Sequence, residues 1–165
     1  MFVTIILYLV LLVEIVFLVF SWPKLRRRLH AIELIAIIMF ASVMLQQSIY
    51  IIDINLNLKD ISEQPMDVTM MRISQIIIFP MIIAWHFYYM TNVKRMQGRR
   101  LLSLLICALV LSFITFLFKS LGYLHYTGWK GLYNILAYAG ILILTEMFDW
   151  LLQLYPLRKN GGSAS

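Results

Sequence analysis

The chain has 165 residues, 62% of them hydrophobic and only 13% charged, and a mean hydropathy of +0.84, outside the range of a water-solvated domain. A membrane-crossing helix takes about 20 apolar residues, so five such helices and their loops use nearly the whole length and leave no room for a separate soluble domain. The formal charge of +6 does not point to nucleic acid, because Lys and Arg stand at the ends of apolar runs and no basic face alternates with stacking aromatics outside them.

The first apolar run, 2–22, lacks the basic start and small-residue cleavage site of a signal peptide and is too long for one, so it reads as a retained first span. Pro23 is expected to stop it, and Lys24, Arg26, Arg27 and Arg28 follow as a cytoplasmic loop. The second span, 31–52, carries Ser42, Gln46 and Gln47. The loop 53–67, with Asp53, Asp60, Glu63 and Asp67 against Lys59, is net acidic and reads as external.

The third span, 70–91, contains Pro80, which removes one backbone donor, frees a carbonyl near Ile76 and predicts a kink. Lys94, Arg95, Arg99 and Arg100 form a second basic loop ahead of the fourth span, 101–118. The connection 119–130, with Gly122, Tyr123, His125, Tyr126, Gly128 and Trp129, has the turns and aromatics of an outer interface. The fifth span, 131–153, returns to Arg158 and Lys159, and 161–165 has the composition of a flexible linker or tag remnant.

Of the fourteen Lys and Arg, only Lys59, Arg72, Lys119 and Lys130 fall at or near the outer side of this arrangement. The expected fold is therefore an all-α polytopic bundle of five membrane-spanning helices in one domain, 1–160, with the N-terminus outside and the C-terminus cytoplasmic.

Ionisable groups inside spans are costly and so are the best pointers to function. On the fifth span, Asn134, Tyr138, Thr145, Glu146, Asp149 and Gln153 fall within an arc of roughly 120°, an edge that must face protein or water. Glu14 and Glu146 stand about eight and seven residues before the inner ends of their spans, which places both roughly 10 Å below the interface. His86 and Glu33 lie near the same layer.

Two readings follow. In one, Glu146, Asp149, Glu14 and His86 bind a proton or cation in a polar chamber open to the cytoplasm. In the other, each polar group bonds a neighbouring helix and serves assembly, as do Tyr138, Gln46, Gln47 and Gln75. Spans three and five, which bear the polar faces, are expected at the bundle centre.

Hydrolase, metalloprotease, nucleotide-loop and dinucleotide motifs are absent from the sequence. No catalytic residue, metal ligand set or cofactor is expected, and the lone Cys107 reads as a packing residue.

The run His125-Tyr126-Thr127-Gly128-Trp129-Lys130, followed by the helix ending Glu146-Met147-Phe148-Asp149-Trp150, resembles small multi-span membrane proteins of unknown function from spore-forming Gram-positive bacteria. The resemblance implies a bacterial cytoplasmic membrane and no particular activity. The expected partners are the lipid bilayer and either another membrane protein or a second copy of the chain. The function expected first is non-enzymatic, as an accessory subunit or homo-oligomer; the alternative is a small proton- or cation-coupled transporter or channel.

Overall fold

The computed structural model describes residues 2–27, 29–56, 58–61, 65–92 and 97–154, with side chains described in these except at 2–11, 53–54, 59–61, 65–67, 70, 91–92 and 97. Arg28, Glu63, Lys94, Arg95, the Arg158-Lys159 tail and the 161–165 linker lie outside the described residues, as do the side chains of Asp53, Lys59, Asp60 and Asp67.

Among the described residues the chain forms five helical rods. They are α1 (Phe2–Arg26), α2 (Ala31–Ile49) continued by a π-helical turn (Tyr50–Asn55), α3 (Pro65–Ile73) joined through a second π-helical turn (Ser74–Ile78) to α4 (Phe79–Asn92), α5 (Gln97–Ser120) and α6 (Gly131–Leu154). Four are long and apolar enough to cross a membrane: Ala31–Ile52, Met71–Met90, Gly98–Ser120 and Gly131–Leu154. α1 is 25 residues long.

Side-chain contacts fix the directions. Ser42 and Gln46 meet Ile76 and Arg72, so α2 and the third rod are antiparallel. His86 and Ile82 meet Ser103 and Cys107, and Thr115 and Arg100 meet Tyr138 and Glu146, so α5 is antiparallel to both α4 and α6. Glu14 meets Ser74 and Ser21 meets Trp85, so α1 runs parallel to the third rod.

α2, the third rod, α5 and α6 close a four-membered ring, and α1 packs outside it against α2 and α4. Lys24, Arg26, Arg27, Arg99 and Arg100 lie at one end of the bundle, hereafter the basic end.

Both sides of these helices are apolar, which is compatible with a multi-pass membrane protein. Leu25, Leu34, Ile37, Ile83, Ala108, Leu111 and Leu142 are fully buried, while Met39, Leu101, Phe113, Leu136 and Trp150 project outward with more than half their surface exposed. A belt of that size in water drives association; in hydrocarbon it costs nothing.

Two sequence expectations are corrected. Pro23 does not end the first helix, which continues to Arg26. Proline at this point removes only the bond to the carbonyl one turn back, and burial of Leu25 and Leu29 against the core holds the next turn in place.

The fifth span is not central. Only 17% of the Gly131–Leu154 window is buried against 56% of Met71–Met90, because α1 covers the outside of the third rod and no described element covers the outside of α6. The inward stripe of α6 is narrow: Asn134, Ile141, Leu142 and Thr145.

Among the described residues the fold is all-helical, as expected, apart from one short two-stranded ribbon. Lys59–Ile61 (β1) and Leu124–Tyr126 (β2) pair antiparallel at the end opposite the basic one, with Asp60 against His125. Thr127 and Gly128 amides extend the pairing to the Leu58 carbonyl at 3.1 and 3.4 Å. A β-carbon on Gly128 would lie 3.0 Å from Leu58, so the close approach favours glycine there.

α5 reaches this ribbon through a Schellman turn. Gly122 has φ 82°, its amide bonds the Lys119 carbonyl, and the Tyr123 amide bonds the Phe118 carbonyl. Beyond it, buried Asn134 accepts from Trp129 Nε1 at 2.7 Å and donates to the Tyr126 hydroxyl at 2.6 Å, while Lys119 sits 4.4 Å above the Tyr126 ring.

Pro80 lies one residue into α4, immediately after the second π-helical turn. The Ile76 carbonyl, one α-helical turn before it, accepts a hydrogen bond from Ser42 Oγ of α2 at 3.3 Å. A side chain of the neighbouring helix thus supplies the donor that proline cannot.

Candidate functional site

The polar edge of α6 meets the other helices near the basic end. Glu146 is four residues beyond Leu142 and eight before the end of α6, on the flank that faces α4 and α5. His86 Nε2 lies 2.8 Å from Glu146 Oε1, and Arg100, in the first turns of α5, donates to Glu146 Oε2 through Nη2 at 2.6 Å and Nε at 3.1 Å.

The other imidazole nitrogen, His86 Nδ1, is 2.9 Å from Ser103 Oγ. Facing a guanidinium, the Glu146 carboxylate accepts on both oxygens. Nε2 is therefore the imidazole donor to Glu146, and Nδ1 pairs with the Ser103 hydroxyl.

The His86 side chain is fully buried and that of Glu146 11% exposed, whereas Arg100 is 55% exposed. The pair thus lies inside the bundle and the guanidinium covers it from the end. Three rods, through α4, α5 and α6, are tied at one point.

One turn further along α6, Asp149 accepts from Gln153 Nε2 at 2.8 Å. Its carboxyl group also lies close to that of Glu33 on α2. Two carboxylates are both acceptors, so this contact bonds only when one carries a proton. Asp149 Oδ1 is buried with no donor. Phe40 and Phe148 stack beside this seam, centroids 4.2 Å apart and planes 3° from parallel.

The sequence-predicted residues divide accordingly. Glu146 and His86 are in direct contact, and Asp149 is on the adjoining turn. Glu14 is elsewhere: its Oε1 accepts from Ser74 Oγ, and Oε2 is buried without a partner among the described residues. Ser74 precedes His86 by twelve residues on the third rod, about 18 Å of helix. The expectation of a common depth fails: Glu14 bonds a turn of the third rod well before the one Glu146 bonds, and the run of α1 past Pro23 accounts for only about 6 Å of that offset.

Tyr138 bonds Thr115 at 2.7 Å across α5 and α6, with its ring edge-on to Phe79 at 5.8 Å. Gln46 accepts from Arg72 at 3.5 Å, Gln47 is exposed, and Gln75 is buried with Oε1 unpartnered.

Sequence reasoning missed Arg100 and Ser103 as partners, and it placed Glu33 near the layer without pairing it. The signal for Arg100 is its position: it begins the fourth span at the end where the fifth finishes, level with the acidic turn of α6.

Among the described residues no three His, Cys, Asp or Glu side chains converge as a metal site. No protein-family model matches this chain, and neither a curated protein nor a solved structure matches it.

Proposed function

We propose that the chain is a non-enzymatic, multi-pass protein of the bacterial cytoplasmic membrane with five spans, N-terminus outside and C-terminus cytoplasmic. It acts through helix association, as an accessory subunit or as a homo-oligomer. The observation that carries this reading is the use made of Glu146. A carboxylate within a span is expensive unless it works, and this one is engaged on both oxygens by His86 and Arg100 from two other rods. Groups so engaged hold helices together.

The orientation is supported by the collection of cationic residues at one end of the bundle. The reading of α1 as a fifth span is supported by its described outward face, where Leu12, Val13, Ile15, Val19 and Phe20 are exposed and apolar. The bacterial setting rests on the resemblance carried by the last third of the sequence.

Native mass spectrometry of the protein extracted gently from its own membranes tests the association. A reproducible second protein or a symmetric oligomer is expected; a bare monomer throughout would count against it.

A second reading, a proton- or cation-coupled carrier, is favoured by the facing carboxyl groups of Glu33 and Asp149, whose contact depends on a proton. Its test is ion flux in liposomes. Loss of flux in Glu33→Gln and Asp149→Asn, with the protein still monodisperse, would support it, and the absence of flux from the unsubstituted protein would end it.

A further inference from the structure

The basic end holds a second arrangement, apart from Glu146. α1 and α4 run side by side in the same direction, in register at Ser21 and Trp85, where Trp85 Nε1 donates to Ser21 Oγ at 3.0 Å. Beyond that contact α1 presents Lys24, Arg26 and Arg27, all exposed. They stand three, five and six residues further on, about 4 to 9 Å. α4 presents Tyr88 and Tyr89 over the same distance.

Trp85, Tyr88 and Tyr89 form one cluster, with centroids 5.0 Å (Trp85 to Tyr88), 6.3 Å (Trp85 to Tyr89) and 6.1 Å (Tyr88 to Tyr89) apart. Tyr89 is 58% exposed. Among the described residues the three cations have no carboxylate partner, in contrast to Arg100, which Glu146 holds. The two parallel helices therefore bring these cations, the exposed Tyr89 ring and the partly buried Trp85 and Tyr88 rings to one depth at the rim of the apolar belt.

Aromatic rings with a polar edge settle at the level of lipid headgroups, and cations just beyond the hydrocarbon attract anionic ones. We propose that the groove between the ends of α1 and α4 binds an anionic phospholipid. Lys24, Arg26 and Arg27 take the headgroup phosphate, and Tyr89 with the Trp85 ring packs on the glycerol and upper acyl chains. The inference rests on the membrane reading above but not on which end faces the cytoplasm.

The test uses the full chain in bilayer discs of phosphatidylcholine with a minor share of phosphatidylglycerol, released into the mass spectrometer with its retained lipids. Phosphatidylglycerol is expected to be enriched over its bulk share. The variants Lys24→Gln, Arg26→Gln and Arg27→Gln should each weaken that enrichment on the order of fivefold, and together abolish it. Arg99→Gln, at an exposed cation away from the groove, should leave it intact, and Tyr89→Ala should lower retention of both lipids.

Equal enrichment in the triple variant overturns the proposal, as does equal loss in Arg99→Gln, which would mean diffuse surface charge. Displacement by inorganic phosphate would show that a free anion rather than a lipid is the ligand, and overturns it too. Failure to enter discs at all would instead refute the membrane reading, so the two failures are distinguishable. All substituted cations are exposed, and the variants are expected to fold.

Discussion

Glu146 accepts from His86 across the interior of the bundle at 2.8 Å, between two helices that never run as neighbours in the sequence or in the ring. Breaking one partner leaves a polar group stranded in an apolar interior, so the effects of His86→Ala and Glu146→Ala should not add. We expect a coupling of about 1.5 kcal/mol in a double-mutant cycle, at the upper end for hydrogen bonds in membrane bundles. Unfolding in a denaturing detergent titration measures it, and a coupling near zero would show that the contact contributes nothing.

Arg100 bonds the same carboxylate but is 55% exposed. Its substitution by Gln should therefore cost less than about 1 kcal/mol, in keeping with a solvent-screened pair. The same titration should rank Arg100→Gln below His86→Ala, and the reverse order would mean that the guanidinium is the main anchor.

Ser42 donates to the Ile76 carbonyl one turn before Pro80. In the unsubstituted protein Ser42→Ala should cost about 0.6 kcal/mol. In a Pro80→Ala background, the alanine amide can bond that carbonyl itself, and Ser42→Ala should then be nearly neutral. Equal costs in both backgrounds would show that the serine does not replace the missing donor.

Gly122 has φ 82° and open space where a β-carbon would go. Gly122→Ala should therefore lose about 1 kcal/mol through backbone conformation alone, and Gly122→Asn less, since asparagine tolerates the left-handed region. Equal losses for the two would point to a packing cause instead.

Orientation is read by a membrane-impermeant thiol probe on a Cys107→Ser background. A cysteine at exposed His125 should label in intact cells and one at exposed Arg99 only after permeabilisation. The opposite pattern would reverse the topology.

Four of the helical rods were legible because membrane-length apolar runs need no tertiary information. Their faces were less so. In a lipid-solvated helix the outward residues are as apolar as the inward ones, so Leu101, exposed, and Leu104, buried, look alike in sequence. Only polar positions break that symmetry. The α6 edge, expected to face protein or water, is buried or bonded to neighbours at Asn134, Tyr138, Thr145 and Glu146, and Gln153 is exposed at the helix end.

What polar patterning cannot supply is the registry between helices. Glu14 was therefore grouped with Glu146 although they bond different turns of the third rod. The β-ribbon was invisible for another reason. Three-residue strands carry too little alternation to be seen, and this pair joins residues more than sixty positions apart.

That ribbon gives the bundle two unlike ends. At one, backbone hydrogen bonds stitch the segment after α2 to the segment after α5. At the other, the rods are joined across the interior by side chains of His86, Ser103, Arg100 and Glu146. The molecule is thus built like a pair of tongs, pivoted at the ribbon and latched at the grip. Any splaying of its legs should begin at Arg100 and travel inward, with the ribbon end the last to part.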